Sequence, residues 1–203
     1  MDGITDGTAL RDLYGDVSPL AAKKLLPRLD GHCRRFIALS PFLVLATADG
    51  HGRADASPRG DAPGFVQVLD DTALLLPDRP GNNLIDSYSN IVDRPGIGLI
   101  FFVPGINETL RVNGTASVVT DLDLLRRSEV QGKRPKAGLL IAVQEAFFHC
   151  AKALIRSHLW DATHHVERSA FPTLGRIIAD QTSTVSAELA DERIEDSYRS
   201  RLY

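Results

Sequence analysis

Three clusters of polar residues lie between apolar segments in the middle of the sequence, and they are the first candidates for a functional site. Each combines a guanidinium with Gly, Asn or Asp, so each offers hydrogen-bonding groups together with close backbone approach. The clusters are Ser57-Pro58-Arg59-Gly60-Asp61, Pro77-Asp78-Arg79-Pro80-Gly81-Asn82-Asn83 and Arg111-Val112-Asn113-Gly114.

The second cluster runs into a predicted helix, Gly81–Val92. Backbone amides at a helix N-terminus favour an anion, and Gly81 permits close approach to it. Asn82 and Asn83 offer amide donors, and Arg79 offers a planar fork for phosphate oxygens. This pattern predicts a phosphate site, and the alternative is a capped helix preceded by a loop with a solvated Arg79.

Arg111 and Asn113 alternate with Leu110 and Val112 in a predicted strand. One face of that strand therefore carries both polar side chains. Such a face lines either solvent or a polar ligand groove, and both interpretations stay open.

A further basic segment follows the last predicted strand. Lys152 and Arg156 are four residues apart, so they share a helix face, and Trp160 is the only tryptophan of the chain. The segment either covers a bound anionic ligand or forms a basic surface with Trp160 in the core. A second basic group is predicted to be a solvated loop and comprises Lys133, Arg134 and Lys136.

The histidines predict no metal site. His158, His164 and His165 have no carboxylate or cysteine partner at metal-ligand spacing in the sequence. The chain also lacks a Gly-x-Ser-x-Gly elbow, a Walker loop and a Rossmann glycine fingerprint.

The candidate residues must be positioned by a mainly β domain with flanking helices. The predicted strands include two hairpins, Phe42–Thr47 with Arg53–Ser57 and Phe65–Leu69 with Thr72–Leu76, and the strand Gly96–Val103. Short strands joined by tight turns favour an antiparallel barrel over a parallel sheet. We predict one domain over residues 1–203, with a helical N-terminal segment at about 8–39, a barrel at about 40–150 and a helical C-terminal segment at about 151–203. In the first segment, Ser18-Pro19 predicts a helix start, followed by an apolar stripe of Leu20, Leu25, Leu26, Leu29 and Cys33.

Bulk composition excludes several classes of protein. The 203 residues carry a formal net charge of −3, which gives no cationic field for nucleic acid or an anionic membrane. The apolar runs are too short to span a bilayer, and the N-terminus has no signal-peptide pattern. We therefore expect a cytoplasmic protein.

The order of these motifs resembles that of the pyridoxamine 5′-phosphate oxidase-like flavoproteins, an FMN-binding split β-barrel family. The similarity spans roughly residues 20–165, and it is greatest to a bacterial subgroup. The strings that carry it are the Phe42–Asp61 hairpin with SPRGD, the PDRPGNN loop, ETLRVNG, and FFHCAKAL followed by LW.

The resemblance implies FMN bound at the interface of a homodimer. It places Arg59 at the ribityl–phosphate part, Pro77 and Asp78 near the flavin ring, and Arg111 and Asn113 on the strand beneath it. Gly81, Asn82 and Asn83 fall where the family has a basic phosphate clamp, so here phosphate charge would fall on Arg59 and Arg79. Lys152, Arg156 and Trp160 would cover the flavin.

The expected activity is that of an FMN-dependent oxidoreductase acting on a small molecule. The Arg-rich substrate motif of true pyridoxamine 5′-phosphate oxidases is missing from Ser186–Tyr203, so oxidation of vitamin B6 is not expected. The alternatives are a non-catalytic flavin-binding or sensor module, and a deazaflavin- or haem-binding relative on the same fold.

Overall fold

One antiparallel sheet of seven strands forms the body of the protein in a computed structural model that describes residues 3–203. The strands lie in the order β2-β1-β5-β6-β7-β4-β3. Within the described residues the end strands β2 and β3 do not pair with each other, so backbone hydrogen bonds do not close the sheet. The strands are β1 Phe42–Ala48, β2 Ala54–Gly60, β3 Gln67–Val68, β4 Ala73–Pro77, β5 Gly96–Val103, β6 Ile106–Val119 and β7 Gly138–His149.

Helices precede and follow the strands in the sequence, and others connect some of the strands. Their bounds are α1 Gly7–Tyr14, α2 Pro19–Lys23, α3 Gly31–Leu39, α4 Asp86–Asp93, α5 Leu122–Arg126, α6 Lys152–Ser157, α7 Leu174–Thr182 and α8 Ala187–Ser200. None of the helices within residues 3–203 has the length and hydropathy needed to cross a membrane.

Aspartates at the turns hold the predicted hairpins. The Asp49 carboxylate accepts hydrogen bonds from the backbone amides of His51 and Arg53, both at 2.9 Å, between β1 and β2. Asp70 accepts one from the Thr72 amide at 2.6 Å between β3 and β4. Because these turns rest on local side-chain chemistry, the sequence was sufficient to predict both hairpins.

The core lies between the sheet and α3. Alternating residues of the central strands point into it, as the period of two requires. Cys33, Phe36 and Ile37 of α3 cover it from the other side. Its fully buried strand residues include Leu43, Leu45, Leu74, Phe101, Leu110, Val112, Leu139 and Ile141.

A salt bridge joins the two ends of the sheet. Asp61 directly follows β2, and Arg79 lies just beyond β4. Arg79 Nε donates to Asp61 Oδ2 at 2.6 Å, and the Asp61 side chain is only 2% exposed. Side chains, and not backbone hydrogen bonds, therefore link β2 at one end of the sheet with β4 near the other end. A cavity forms between them.

A β-bulge bends the long strand β6. Its register with β7 shifts between Asn113 and Gly114, where Gly114 pairs with Val143. A Cβ atom on Gly114 would lie 2.1 Å from the Ala142 carbonyl oxygen. Glycine is therefore needed here because the neighbouring backbone occupies the place of a side chain.

The N-terminal apolar stripe was wrongly predicted as one helix. Ser18 does cap α2 with Pro19 at its first position, as expected. The chain then leaves the helix, and Leu26 forms an isolated bridge to Ala146 of β7. Pro27 cannot continue a helix, and Asp30 starts a new one by accepting from the Cys33 amide at 2.8 Å.

The start of α4 also differs from the prediction. The helix begins at Asp86 and not at Gly81. Asn83 and Ile85 adopt left-handed backbone angles, with φ of 60° and 52°, which interrupt any helix before Asp86. Gly81, Asn82 and Asn83 therefore form a loop, and the helix-dipole argument does not apply to them.

Candidate functional site

A cavity of about 550 Å³ lies where the two ends of the sheet meet, and we call it the polar cavity. Its walls come from β2, from the segment 78–88, from the loop 133–136 and from Tyr203. A volume of this size is typical of small-molecule sites. Six of the predicted site residues line it: Arg59, Asp78, Arg79, Gly81, Asn82 and Asn83.

Arg59 is the residue in the polar cavity with unused hydrogen-bonding capacity. It lies near the end of β2, opposite Leu43 of β1. Its Nε is buried and has no hydrogen-bond partner among the described residues. A buried donor without a partner is costly in a folded protein. Arg59 also lines the cavity, so an anionic acceptor there would give its guanidinium a charge-assisted partner.

Arg79 is held in the cavity wall by protein partners. Besides its bond to Asp61, it donates from Nη1 to the Ser128 carbonyl at 2.9 Å, and its guanidinium lies 5.6 Å from the centre of the Tyr203 ring. The Tyr203 hydroxyl donates to Asp61 Oδ1 at 2.8 Å. Burial alone would raise the pKa of Asp61, but bonds from the Ala62 amide, Tyr203 and Arg79 hold it below its ordinary value.

Asp78 and Tyr88 form the least solvated polar pair of the cavity. Burial raises the pKa of Asp78, although the Tyr88 hydroxyl and the Arg59 guanidinium both act to lower it. Burial, followed by the nearby Asp78 charge, also raises the pKa of Tyr88. Both groups therefore retain their protons to higher pH than exposed side chains of their types.

Three basic side chains complete the rim of the polar cavity, and we call them the basic loop: Lys133, Arg134 and Lys136. They are exposed, as predicted, but they face the cavity and not only bulk solvent. In total five basic and three acidic side chains line the cavity, and one of the basic side chains, Arg79, is already paired with Asp61. The remaining excess of one positive charge favours an anionic ligand such as a phosphate monoester.

An apolar groove adjoins the polar cavity. Its volume is about 490 Å³, and it shares Asp78, Ile85 and Tyr88 with the cavity. Val92 and Val118 provide apolar walls, and Val92 is largely exposed whereas Val118 is 36% exposed. The two spaces together suit a ligand with an anionic end and a flat apolar end.

A buried polar network fixes α4 against the sheet. The Ser87 hydroxyl donates to Asp55 Oδ2 of β2 at 3.2 Å, and the Asn90 amide donates to the Thr47 hydroxyl of β1 at 2.9 Å. Ser87 and Thr47 are both buried. This network sets the distance between α4 and β2, and hence the width of the polar cavity.

The remaining predicted site residues lie outside both spaces. Pro77 is buried within β4, opposite Gly138. Asn113 donates to Glu145 at 2.8 Å, and Arg111 lies over the Phe147 ring at 5.0 Å. The other members of this set are exposed or anchored elsewhere.

Lys152 and Arg156 are exposed on α6. Trp160 donates from Nε1 to the Ile106 carbonyl at 2.9 Å, so it packs against the start of β6. None of the three residues lines the polar cavity or the apolar groove of the described chain.

Sequence reasoning missed five groups that line or fix the cavity. The basic loop lies about fifty residues beyond Arg79 in sequence, and the Arg79–Ser128 contact brings the two segments together. Tyr88 appeared only as an apolar helix position. Asp55, Ser87 and Tyr203 carried no motif, so the sequence offered no signal for them.

Comparison with known proteins shows that the chain matches one protein family. Residues 29–150 match the family model described as pyridoxamine 5′-phosphate oxidase. No curated protein sequence matches the chain.

Solved structures with a similar arrangement include three examples. HupZ from Group A Streptococcus has 19% identity and a TM-score of 0.49, covering 59% of this chain and 93% of that one. A putative pyridoxamine 5′-phosphate oxidase from Lactobacillus delbrueckii has 23% identity and a TM-score of 0.47, covering 60% and 95%. An FMN-binding protein from Syntrophomonas wolfei has 10% identity and a TM-score of 0.44, covering 70% and 96%.

The match to the family model includes all the strands and, with them, the walls of the cavity from β2 to the basic loop. It covers more than half of the chain. The chain therefore belongs to the pyridoxamine 5′-phosphate oxidase family.

Proposed function

We propose that this protein binds FMN, with the phosphate in the polar cavity and the flavin ring along the apolar groove. The observation that carries the proposal is the buried Arg59 Nε, which has no partner among the described residues and lines the cavity. Charge supports it as well, because the basic side chains of the cavity outnumber the acidic ones even without the Arg79 that is paired with Asp61.

The residues present fit a phosphate monoester. Arg59 would donate hydrogen bonds to the phosphate, and the basic loop would neutralise the phosphate charge at the rim of the cavity. Asn82 and Asn83 are exposed at the same rim, where their amides can donate. Arg79 would act indirectly, because its bonds to Asp61 and Ser128 hold the wall in place.

The apolar groove fits the ring end of the same ligand. Ile85, Val92 and Val118 would contact its faces, and Asp78 and Tyr88 would face its polar edge. Both groups have raised pKa values, and the Tyr88 hydroxyl keeps its proton at neutral pH, so it can donate a hydrogen bond to that edge. FMN, when bound, supplies the electron-accepting chemistry, and we propose oxidoreduction of a small molecule.

The open sheet and the open groove lead us to propose a split barrel that works as a homodimer. The ends of the sheet approach through the Asp61–Arg79 salt bridge without strand pairing. Ile85 and Val92 are 63% and 75% exposed beside the groove, and a second copy would cover them. Arg111, Asn113, Lys152, Arg156 and Trp160 enter the proposal only as residues that a partner copy would bring to the flavin.

Flavin is favoured over haem by the side chains of the site. Haem iron takes His, Cys, Met or Tyr as its axial ligand, and the residues that line the polar cavity and the apolar groove offer only Tyr88 and Tyr203 of these. The Tyr203 hydroxyl is already bonded to Asp61, and the Tyr88 hydroxyl lies beside Asp78. A deazaflavin with an anionic tail shares the chemistry of FMN, so it belongs in the test as a separate ligand.

Comparison of FMN with riboflavin tests the proposal, because riboflavin lacks the phosphate. We expect the full chain to bind FMN tightly, as a yellow complex, and riboflavin more weakly. Arg59→Ala should weaken FMN binding by about 1–3 kcal/mol, roughly 5- to 150-fold, and leave riboflavin binding unchanged. Fluorescence titration measures each dissociation constant.

Arg28→Ala provides the matched control, because Arg28 is exposed and lies outside both spaces. Its FMN affinity should equal that of the unmodified chain. Failure of the chain to bind FMN would overturn the proposal, and tighter binding of deazaflavin than of FMN would reassign the cofactor. Bleaching of the bound flavin by NADH or NADPH would favour an oxidoreductase over a non-catalytic flavin module.

A further inference from the structure

A compact group of two imidazoles and one carboxylate lies on the surface after α6. It comprises His158, Asp161 and His164, and their potential ligand atoms all lie within 4.8 Å of one another. The expectation that these histidines have no carboxylate partner was wrong, because the turn after α6 brings Asp161 between them. No other such group of three occurs among residues 3–203.

Two consecutive turns of the main chain bring the three side chains close together. His158 ends α6 in a left-handed conformation with φ of 51°. The Asp161 amide donates to the His158 carbonyl at 2.9 Å, and the His164 amide donates to the Asp161 carbonyl at 3.0 Å. Trp160 anchors the turn to β6 through its bond to Ile106. The spacing of three residues is thus maintained by main-chain bonds.

The donor atoms of the group are close enough to share one ion, although the two rings are not yet oriented toward one. The His158 and His164 rings stack at 4.2 Å with an angle of 9° between their planes, so their in-plane nitrogen lone pairs are nearly parallel. His164 Nδ1 lies 3.3 Å from Asp161 Oδ2. Ligand bonds of about 2.0–2.1 Å in a tetrahedral zinc site place neighbouring donor atoms about 3.3 Å apart. The His158 ring is exposed, and a rotamer change that takes it out of the stack would let both imidazoles face one ion.

The two oxygen atoms of the Asp161 carboxylate face different partners. Asp161 Oδ1 accepts from the Thr163 amide at 2.9 Å and from the Thr163 hydroxyl at 2.7 Å. Oδ2 is left facing His164. An exposed aspartate is ionised at neutral pH, so Oδ2 can serve as a ligand.

We propose that His158, Asp161 and His164 bind one divalent transition-metal ion of the zinc type. Two imidazoles and a carboxylate are a ligand set that such ions accept, and a fourth position stays open to water. This site is separate from the polar cavity, since none of its residues lines that space. Its existence does not depend on the proposed FMN binding.

Zinc titration of the full chain, after removal of any affinity tag, tests the site. We expect one equivalent of Zn²⁺ to bind at pH 7.5, measured by calorimetry and by metal analysis after dialysis. Affinity should fall at least about tenfold in His158→Ala and in His164→Ala, because each removes one of three ligands. Co²⁺ should show visible absorption bands with the unmodified chain only.

His165→Ala is the matched control, since His165 is exposed, adjacent and outside the group. It should bind zinc like the unmodified chain. Asp161→Asn keeps an acceptor for the Thr163 bonds and removes the charge, so it should weaken binding without changing the circular dichroism spectrum. The proposal is overturned if the unmodified chain binds no stoichiometric zinc, or if His158→Ala and His164→Ala bind it equally well.

Discussion

Asp61 connects three parts of the molecule through one carboxylate. It receives hydrogen bonds from Arg79 and from Tyr203, and its side chain is almost completely buried. Removal of Asp61 would leave the Arg79 guanidinium in a low-dielectric wall without its charge partner. Such a loss costs more than the pair contributes when intact.

Asp61→Ala should therefore lower the free energy of unfolding at pH 7 by about 3 kcal/mol, measured by urea denaturation. The folded-state pKa of Asp61 lies below its ordinary 3.8, so its charge stabilises the fold above about pH 4. That contribution is lost as the pH falls through the folded-state pKa. The difference between the two proteins should thus decrease toward pH 2–3.

Asp123→Ala is the control for Asp61→Ala, because it also removes the carboxylate of a salt bridge. Asp123 pairs with Arg126 at 3.4 Å, but both side chains are largely exposed. Removal of this surface pair should change stability by less than about 1 kcal/mol. An Asp61→Ala variant no less stable than Asp123→Ala would show that the buried salt bridge does not hold the sheet ends together.

The types and spacing of the residues predicted part of the site. The rest depends on tertiary contacts, which local patterns in the sequence do not reveal. Arg59, Asp78 and Asn82 lie in contiguous motifs, so their types and spacing indicated a ligand. Lys133 reaches the same cavity only through tertiary contacts, and its surroundings in sequence resemble a solvated loop. The position of Arg79 was predicted, but not its engagement by Asp61, which no local pattern reveals.

At the scale of elements, the bulge in β6 controls the bend of the sheet. Gly114→Ala would force its Cβ against the Ala142 carbonyl, so the backbone of β6 or β7 must move. We expect a loss of about 1–3 kcal/mol in the free energy of unfolding. Thermal and urea denaturation of the purified variant measure it.

Gly96→Ala tests whether this loss is specific to the bulge. Gly96 begins β5 and pairs with Thr115 of β6, and a Cβ atom added to it would meet no other atom within 4 Å. Its replacement should leave stability nearly unchanged. Equal losses at both positions would attribute the effect to strand glycines in general and not to the close approach at Gly114.

Strands were predicted better than helix boundaries, and the reason lies in the range of the interactions. β5 was predicted over Gly96–Val103, as observed, because alternation and the terminal Pro104-Gly105 are local signals. The start of α4 depends on the left-handed conformations of Asn83 and Ile85. A β-branched residue such as Ile85 gives no hint of that conformation in sequence.

At the scale of the whole molecule, the exposed apolar side chains beside the groove predict a dimer. Val92 is 75% exposed and lines the apolar groove. A charge at this position would be buried without a partner in a two-fold interface. Val92→Glu should therefore shift the protein from dimer to monomer in sedimentation velocity, and lower FMN affinity at the same time.

Val166→Glu is the corresponding control, because Val166 is 80% exposed and lies outside the groove. It should sediment like the unmodified chain. A monomeric unmodified chain that binds FMN would contradict the dimer and restrict the flavin site to one copy.

The two ends of the sheet have a consequence for how copies of this chain can associate. β2 carries Pro58, which has no amide hydrogen to offer, and the charged Asp55 and Arg59 beside it. At the other end, β3 is only two residues long. Neither edge can template a long added strand. Fibrillar aggregation by sheet extension is thus disfavoured, even though the strands of the described chain form no closed ring that would hide these edges.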